Sequence, residues 1–273
     1  MRVIGQMHSG LGFFDTRAMT ACLEFRPSGE AMIAYERQAA RDPALPGVVF
    51  LHGLRSDRGG AKAQALAQHA EGRGYGLLRF DMFGHGASSG RFEDGGISRW
   101  VADTLAVLDR LTAGPQVLVG SSMGGWVMVK AAMARPEKVT GLVGIAVAPD
   151  FTEDLMWDSF TPAQREALMT AGTVDLPSEY NDGPYRISRH LIEDGRENLI
   201  LRDEIPIACP VRLVHGQRDT AVPWRTSLAL AERIKGGDVT VHLVKDGDHR
   251  LSRPQDLERL CGFVDELVLK GRA

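Results

Sequence analysis

QVLVGSSMGGW, residues 116–126, is the stretch that decides how the rest of the chain is read. Its first half is apolar and β-branched, as a buried strand is, and its second half opens a segment with helical spacing over residues 124–135. Between them Gly120-Ser121-Ser122-Met123-Gly124 matches G-x-S-x-G in a strand-to-helix turn. Such a turn is tight enough to strain its central residue and to tolerate only small neighbours, so it lifts the Ser122 hydroxyl over the sheet edge. The helix that follows adds its positive end beneath a developing negative charge. A flexible glycine-serine turn is the bland alternative, and the strand before and helix after argue against it. Ser121 competes weakly as nucleophile, because the geometry exposes the central position.

Working outward, short apolar runs at 47–52, 76–81, 142–147, 211–215 and 239–244 read as further strands. Segments 61–72, 97–111, 224–234 and 254–269 carry apolar residues at three- and four-residue spacing and read as amphipathic helices. The alternation predicts an α/β fold, a mostly parallel central sheet with helices on both faces. Residues 20–25 and 31–36, around Arg26-Pro-Ser-Gly-Glu30, predict an antiparallel hairpin at the sheet edge. Between Pro149 and Pro206 the strand signals stop, and Trp157, Phe160, Leu168, Leu176, Tyr180, Tyr185 and Leu191 lie scattered among Pro, Gly and charge. A structureless loop of that length does not suit a compact domain, so 149–206 is expected to be a small helical cap inserted into a core of 1–148 and 207–273.

A serine hydroxyl is a poor nucleophile near neutral pH and needs a base, and the base needs a carboxylate to fix its tautomer. Asp219 follows the strand ending at His215, and His249 follows the last strand within Asp246-Gly-Asp-His-Arg250. Both therefore fall at carboxyl ends of strands, where open α/β sheets carry their sites. His215 and His242 lie within strands, and His8, His69 and His190 have no motif around them. The competing readings are a solvated loop histidine for His249 and a helix-capping turn carboxylate for Asp219, with Asp246 and Asp248 as rival carboxylates. The backbone N–H groups of Leu54 and Met123 are the expected oxyanion donors. His52 is expected to be a structural hydrogen-bonder beneath that loop. The glycine-rich loop after Asp81 lacks the lysine and spacing of a phosphate-binding loop.

The 273 residues are 44% hydrophobic and 25% charged with a net charge of -3, which suits a globular chain and gives no positive field for nucleic acid or an anionic membrane. Cys22, Cys209 and Cys261 form no CxxC pair or Cys/His cluster, so reduced thiols are expected and a structural metal site is not. Residues 1–10 lack the apolar core of a signal peptide, and no run approaches the ~20 apolar residues of a membrane span. A cytoplasmic location is the expectation.

Taken in order, strand-HGL, D-x-x-GHG-x-S, G-x-S-x-G, D-x-x-VP and the late DH resemble the α/β-hydrolase superfamily from about residue 31 onward. Within it, residues 114–126, Ala134-Arg-Pro-Glu-Lys-Val139, Val222-Pro-Trp224 and Asp248-His-Arg250 resemble the mitochondrial palmitoyl-protein thioesterases, also described as acyl-glucuronide esterases. With no leader visible in residues 1–10, the chain reads as a bacterial relative. The oxyanion loop departs from that branch, carrying more charge in Leu54-Arg-Ser-Asp57. The resemblance implies hydrolysis of a small-molecule ester or acyl thioester, with an S-acylated protein as a further candidate. The residues fit an acyl-enzyme on Ser122, His249 as base and Asp219 as its orienting acid, with no cofactor and no metal required. Arg55 is a candidate for meeting an anionic substrate group, and Met156, Trp157, Phe160 and Leu168 for an apolar acyl pocket. A dehalogenase or epoxide hydrolase would present Asp where Ser122 stands; a perhydrolase would use the same three residues. The competing class is a non-catalytic protein of this fold that binds a ligand or partner, which has no need of all three.

Overall fold

The computed structural model describes residues 19–25, 31–176 and 185–272. His8, Tyr180, the turn 26–30 and the leader stretch 1–10 lie outside the described residues, as does the side chain of Cys22.

With one exception, the central strands fall on the runs that the alternation predicts. Strands β1 (Met19–Phe25), β2 (Ala31–Gln38), β3 (Gly47–Leu51), β4 (Leu77–Phe80), β5 (Gln116–Ser121), β6 (Val139–Ile145), β9 (Val211–Gly216) and β10 (Val239–Val244) form one sheet, ordered β1-β2-β4-β3-β5-β6-β9-β10. β1 and β2 pair antiparallel, with Thr20 opposite Glu36 and Phe25 opposite Ala31, and β2 joins β4 antiparallel. Every pairing from β4 to β10 is parallel.

Burial follows position in the sheet. Every residue of β5 and β9 is buried, while β10 at the edge alternates between exposed Thr240 and His242 and more sheltered neighbours. Successive β5 side chains enter opposite cores, Leu118 joining Trp100, Trp126 and Leu230, and Val117 and Val119 joining Leu66, Val264 and Leu267. Helices α2 (Ile97–Leu111), α3 (Met123–Ala134) and α6 (Arg225–Arg233) thus cover one face, and α1 (Ala61–Arg73) and α7 (Pro254–Lys270) the other. Truncating a fully buried Leu118 to Ala would cost about 2–5 kcal/mol.

Two expectations need correction. β6 starts at Val139 and ends at Ile145, where the run 142–147 predicts a later strand, because Ala146 turns to φ 45° and leaves the sheet. The segment after β6 is also not purely helical. It contains a wide π-type turn over Thr152–Trp157, α4 (Pro162–Ala171), the short antiparallel strands β7 (Thr173–Leu176) and β8 (Tyr185–Ser188), and α5 (Arg189–Arg196). Strands of four residues are too short for alternation to register. α4 is set by its own chemistry: Thr161 accepts from the Gln164 N–H at 3.2 Å, the Gln164 side chain accepts from the Thr161 N–H at 2.9 Å, and Pro162 opens the helix.

Polar fastenings tie this segment to the sheet. Asp150 at its start accepts from the Ile200 and Leu201 N–H groups at 2.8 and 2.9 Å near its end, closing the insertion like a clasp. The indole of Trp126 in α3 donates to the Asn198 carbonyl at 3.1 Å, and Asn198 donates to Ser98 Oγ at 2.7 Å.

Candidate active site

The turn from β5 into α3 holds Ser122 at φ 54°, ψ -120°, a conformation that costs a non-glycine residue of order 1–3 kcal/mol. Close packing enforces it. A side chain on Gly124 would meet the carbonyl oxygens of Leu51 and His52 at 2.4 Å, and one on Gly120 would meet the Gly124 carbonyl at 2.5 Å. Both glycines of the motif are therefore required by backbone contact.

Strain of this kind gathers on one edge. Among the described residues the non-glycine positions with positive φ are Arg55, Ser122, Ala146, Asp150 and Leu251. All five follow carboxyl ends of parallel strands, in the loops after β3, β5, β6 and β10.

That edge brings three distant side chains together. His249 Nδ1 lies 2.7 Å from Asp219 Oδ2, and His249 Nε2 lies 3.1 Å from Ser122 Oγ. A carboxylate oxygen only accepts, so Nδ1 carries the proton and Nε2 is left to accept from the Ser122 hydroxyl. Asp219 has no exposed side-chain surface, whereas 18% of the His249 side chain is exposed, enough to exchange protons with a cavity. Of the rivals, Asp246 pairs with Arg253 at 2.7 Å and Asp248 accepts from the Leu251 N–H at 2.9 Å. Ser121 ends β5 and makes no contact with His249.

The two readings of Asp219 coexist. Oδ1 accepts from the Ala221 and Val222 N–H groups at 2.9 and 2.8 Å, which is the turn-forming role, while Oδ2 faces His249. A further donor reaches Oδ2, one that the motif reading passes over. His215 in β9 is fully buried, and its Nε2–H lies 3.0 Å from Asp219 Oδ2 and 3.1 Å from the Val222 carbonyl. Because both of those partners accept, Nε2 is the donor, and Nδ1 accepts from the Ser227 hydroxyl of α6 at 2.7 Å. Burial alone would raise the Asp219 carboxyl; the bonds from His215 and His249 outweigh it and hold the group well below the usual carboxylate range. A histidine inside an apolar strand, four residues before the acid, was the available signal.

The Leu54 N–H points into no hydrogen bond among the described residues, and Met123 opens α3, where a first-turn N–H has no helical acceptor. Gly53 keeps the two loops close, since a side chain there would come within 3.3 Å of Ser122 Cβ. His52 braces the loop from below: Nδ1 donates to the Gly53 carbonyl at 2.8 Å and Nε2 accepts from the Met82 N–H at 3.1 Å. Burial pushes the His52 ring down to about 4, and burial beside His52 pushes His85 down to about 3. The glycine-rich loop closes on an internal anion, for Asp81 accepts from the Arg58 and Ala87 N–H groups at 2.7 and 2.9 Å.

A cavity of about 680 Å³ opens over Ser122 and His249, within the range of small-molecule sites. Phe151, Leu155 and Met156 of the insertion line it, with Tyr185 and Val222, and Arg55 and Lys62 also border it. Trp157, Phe160 and Leu168 do not line it, contrary to expectation. Positions 151, 155 and 159 share the face turned to the cavity, which directs Trp157 away toward Arg165 and Arg196, at 5.0 and 4.4 Å from the ring. Phe160 packs on Trp157, and Leu168 is buried in the core.

The chain is similar to known proteins. The family described as Serine aminopeptidase, S33 (Hydrolase_4) matches residues 43–182. The mitochondrial palmitoyl-protein thioesterase ABHD10 of Mus musculus is 41% identical over 239 residues, covering 87% of this chain and 79% of that protein. A solved structure of the mouse protein superposes with a TM-score of 0.84 at 38% identity, covering 93% of this chain and 99% of that one. A protein of Agrobacterium vitis S4, described as a hydrolase, superposes with a TM-score of 0.89 at 39% identity over 92% of this chain and 99% of its own. The expected cytoplasmic location is overturned by the relatives' names, which are mitochondrial. Sparse cysteines separate reducing from oxidising compartments, not one reducing compartment from another. No helix among the described residues is long and apolar enough to cross a membrane.

Proposed function

The chain belongs to the α/β-hydrolase family and is an ester or thioester hydrolase, and from that premise we propose that it works through an acyl-enzyme on Ser122. His249 Nε2 takes the Ser122 proton as Oγ attacks the acyl carbon. The resulting oxyanion is held by the Leu54 and Met123 N–H groups. His249 then returns the proton to the leaving alcohol or thiol as the bond to the acyl carbon breaks. Water, deprotonated by the same nitrogen, attacks the acyl-enzyme and releases the acid, and the proton returns to Ser122. Asp219 holds the tautomer throughout.

The observation that carries this reading is the unbroken chain Ser122 Oγ, His249, Asp219 Oδ2, with contacts of 3.1 and 2.7 Å, opening on a cavity. Residues 1–148 and 207–273 form the hydrolase core in this reading, and 149–206 the cap. Leu155 and Met156 of the cap receive the acyl chain. The relatives' name favours a long-chain acyl thioester, on a protein or a small molecule.

The test is hydrolysis of p-nitrophenyl esters and S-acyl thioesters of graded length, with fluorophosphonate labelling of the wild type and Ser122→Ala. Labelling at Ser122 and activity rising toward long thioesters support the proposal. Failure of the folded wild type to label would favour a non-catalytic binding protein.

A further inference from the structure

Arg55 differs from Arg58, Arg79, Arg99 and Arg253. Arg58 pairs with Asp81 and Glu36, Arg79 with Glu36, Arg99 with Asp103, and Arg253 with Asp246 and Asp256. Arg55 has no carboxylate partner among the described residues. The acid next to it in sequence, Asp57, is turned into its own loop, where Oδ1 accepts from the Gly59 N–H at 2.6 Å.

The side chain is exposed, and its guanidinium rests against two rings. It lies 5.3 Å from the ring centre of Phe92, half-buried in the loop after β4, and 5.3 Å from that of Tyr185, at the start of β8. Rings engage the flat faces of a guanidinium and leave its edge donors open to a planar acceptor. The backbone at Arg55 takes φ 52°, a further constraint on where the side chain leaves the loop. Its neighbour Leu54 carries the proposed oxyanion donor, and Arg55 lines the same cavity as Ser122. Arg55 borders both the catalytic cavity and a smaller recess of about 210 Å³ shared with Ser56, His85 and Phe92.

We propose that Arg55 selects substrates bearing a carboxylate or phosphate on the leaving-group side of the scissile ester or thioester. The inference rests on the hydrolase reading of Ser122. The mixed lining supports the placement: Leu155, Met156 and Val222 are apolar and suit the acyl chain, while Arg55, Ser56 and Lys62 are polar and suit a charged leaving group. Lys62 does not duplicate the role, since its ammonium donates to the Arg250 carbonyl at 2.5 Å. In a chain of net charge -3, a cation with no carboxylate partner among the described residues, lining the same cavity as the nucleophile, attracts an anion from outside.

The experiment compares octanoyl esters of 4-hydroxybenzoate and of its methyl ester, which differ in leaving-group charge and little in shape, with a third ester whose phenol carries a phosphate. The wild type is expected to favour the charged esters in kcat/KM, mainly through KM. The charged-to-neutral ratio should fall about tenfold to a hundredfold in Arg55→Met and be partly kept in Arg55→Lys. The larger preference, for the carboxylate or the phosphate ester, identifies the anion. If Arg55→Met does not fold, the wild type still decides the matter: its preference must weaken as salt shortens the electrostatic range. A ratio near one in the wild type, a ratio unmoved by Arg55→Met, or one insensitive to salt overturns the proposal. Equal losses on all three esters also overturn it and make Arg55 a core-to-cap clasp. Fluorophosphonate labelling of Ser122 reads the hydrolase function separately, so the two failures are distinguishable.

Discussion

The sheet and the insertion between β6 and β9 are secured in opposite ways. Central strands such as β5 and β9 are buried along their whole length and send alternate side chains into two cores. The insertion keeps some of its elements by local chemistry, as in the Thr161 and Gln164 box, and is fastened at a few polar points, Asp150 and Asn198 foremost. Ser122, His249 and Asp219 all stand on loops of the first kind, while Leu155, Met156 and Tyr185 come from the second. In the proposed reading, reactivity and selectivity thus have different mechanical supports, and substitutions should separate them.

The largest effect is expected on the sheet side. Ser122→Ala should lower kcat by on the order of 10⁵–10⁶-fold while thermal melting stays near the wild-type value, because the strained backbone and its packing remain. A mutant within tenfold of the wild type would move the nucleophile elsewhere.

His215→Phe tests whether the supporting layer reaches into the chemistry. Removing the Nε2 donor destabilises the Asp219 carboxylate, which then holds the His249 proton more tightly. The acid limb of the kcat/KM profile should move to higher pH, with a loss of about tenfold. His215→Gln, which keeps an N–H near Asp219, should restore the limb. An unshifted limb at reduced amplitude would make His215 a packing residue.

The same braced edge should limit stability in acid. His52 and His85 ionise near 6.5 in an unfolded chain and only near about 4 and about 3 when folded, so the unfolded state binds more protons between those values. Their contribution is complete above about pH 6.5 and is lost as pH falls toward 4. Urea unfolding at pH 7, 5.5 and 4.5 should show the decline, and His52→Gln should flatten it. Equal slopes would assign the acid sensitivity to other groups.

The smallest effect is expected in the insertion. Met156→Ala should change the long-to-short chain preference by about threefold to tenfold, the worth of a few apolar groups. If every chain length loses activity alike, the insertion supports the nucleophile turn and the two regions are not separable.

This division also governs what the sequence discloses. Ser122 and Asp219 were legible because each follows a fully buried apolar strand, and His249 because it follows the last strand run, edge strand though that is; each sits in a loop with its own glycine or acid spacing. The insertion was not, since β7 and β8 are four residues each and its face assignment depends on a π-type turn, so Trp157 and Phe160 were expected on the wrong side. His215 was read only as a strand residue because a pattern of apolar neighbours says nothing about what the one polar side chain touches across the sheet.

The gathering of left-handed backbone on a single edge gives the molecule a polarity for engineering. Relaxing Arg55, Ser122 or Leu251 to glycine would gain stability at the end that carries the proposed site, and the usual trade between robustness and activity would apply there. At the opposite end, where the strands enter the sheet, no non-glycine residue among those described is held this way. Consensus changes, tags or surface attachment belong at that amino edge, which can be hardened without disturbing the tension that keeps the serine exposed.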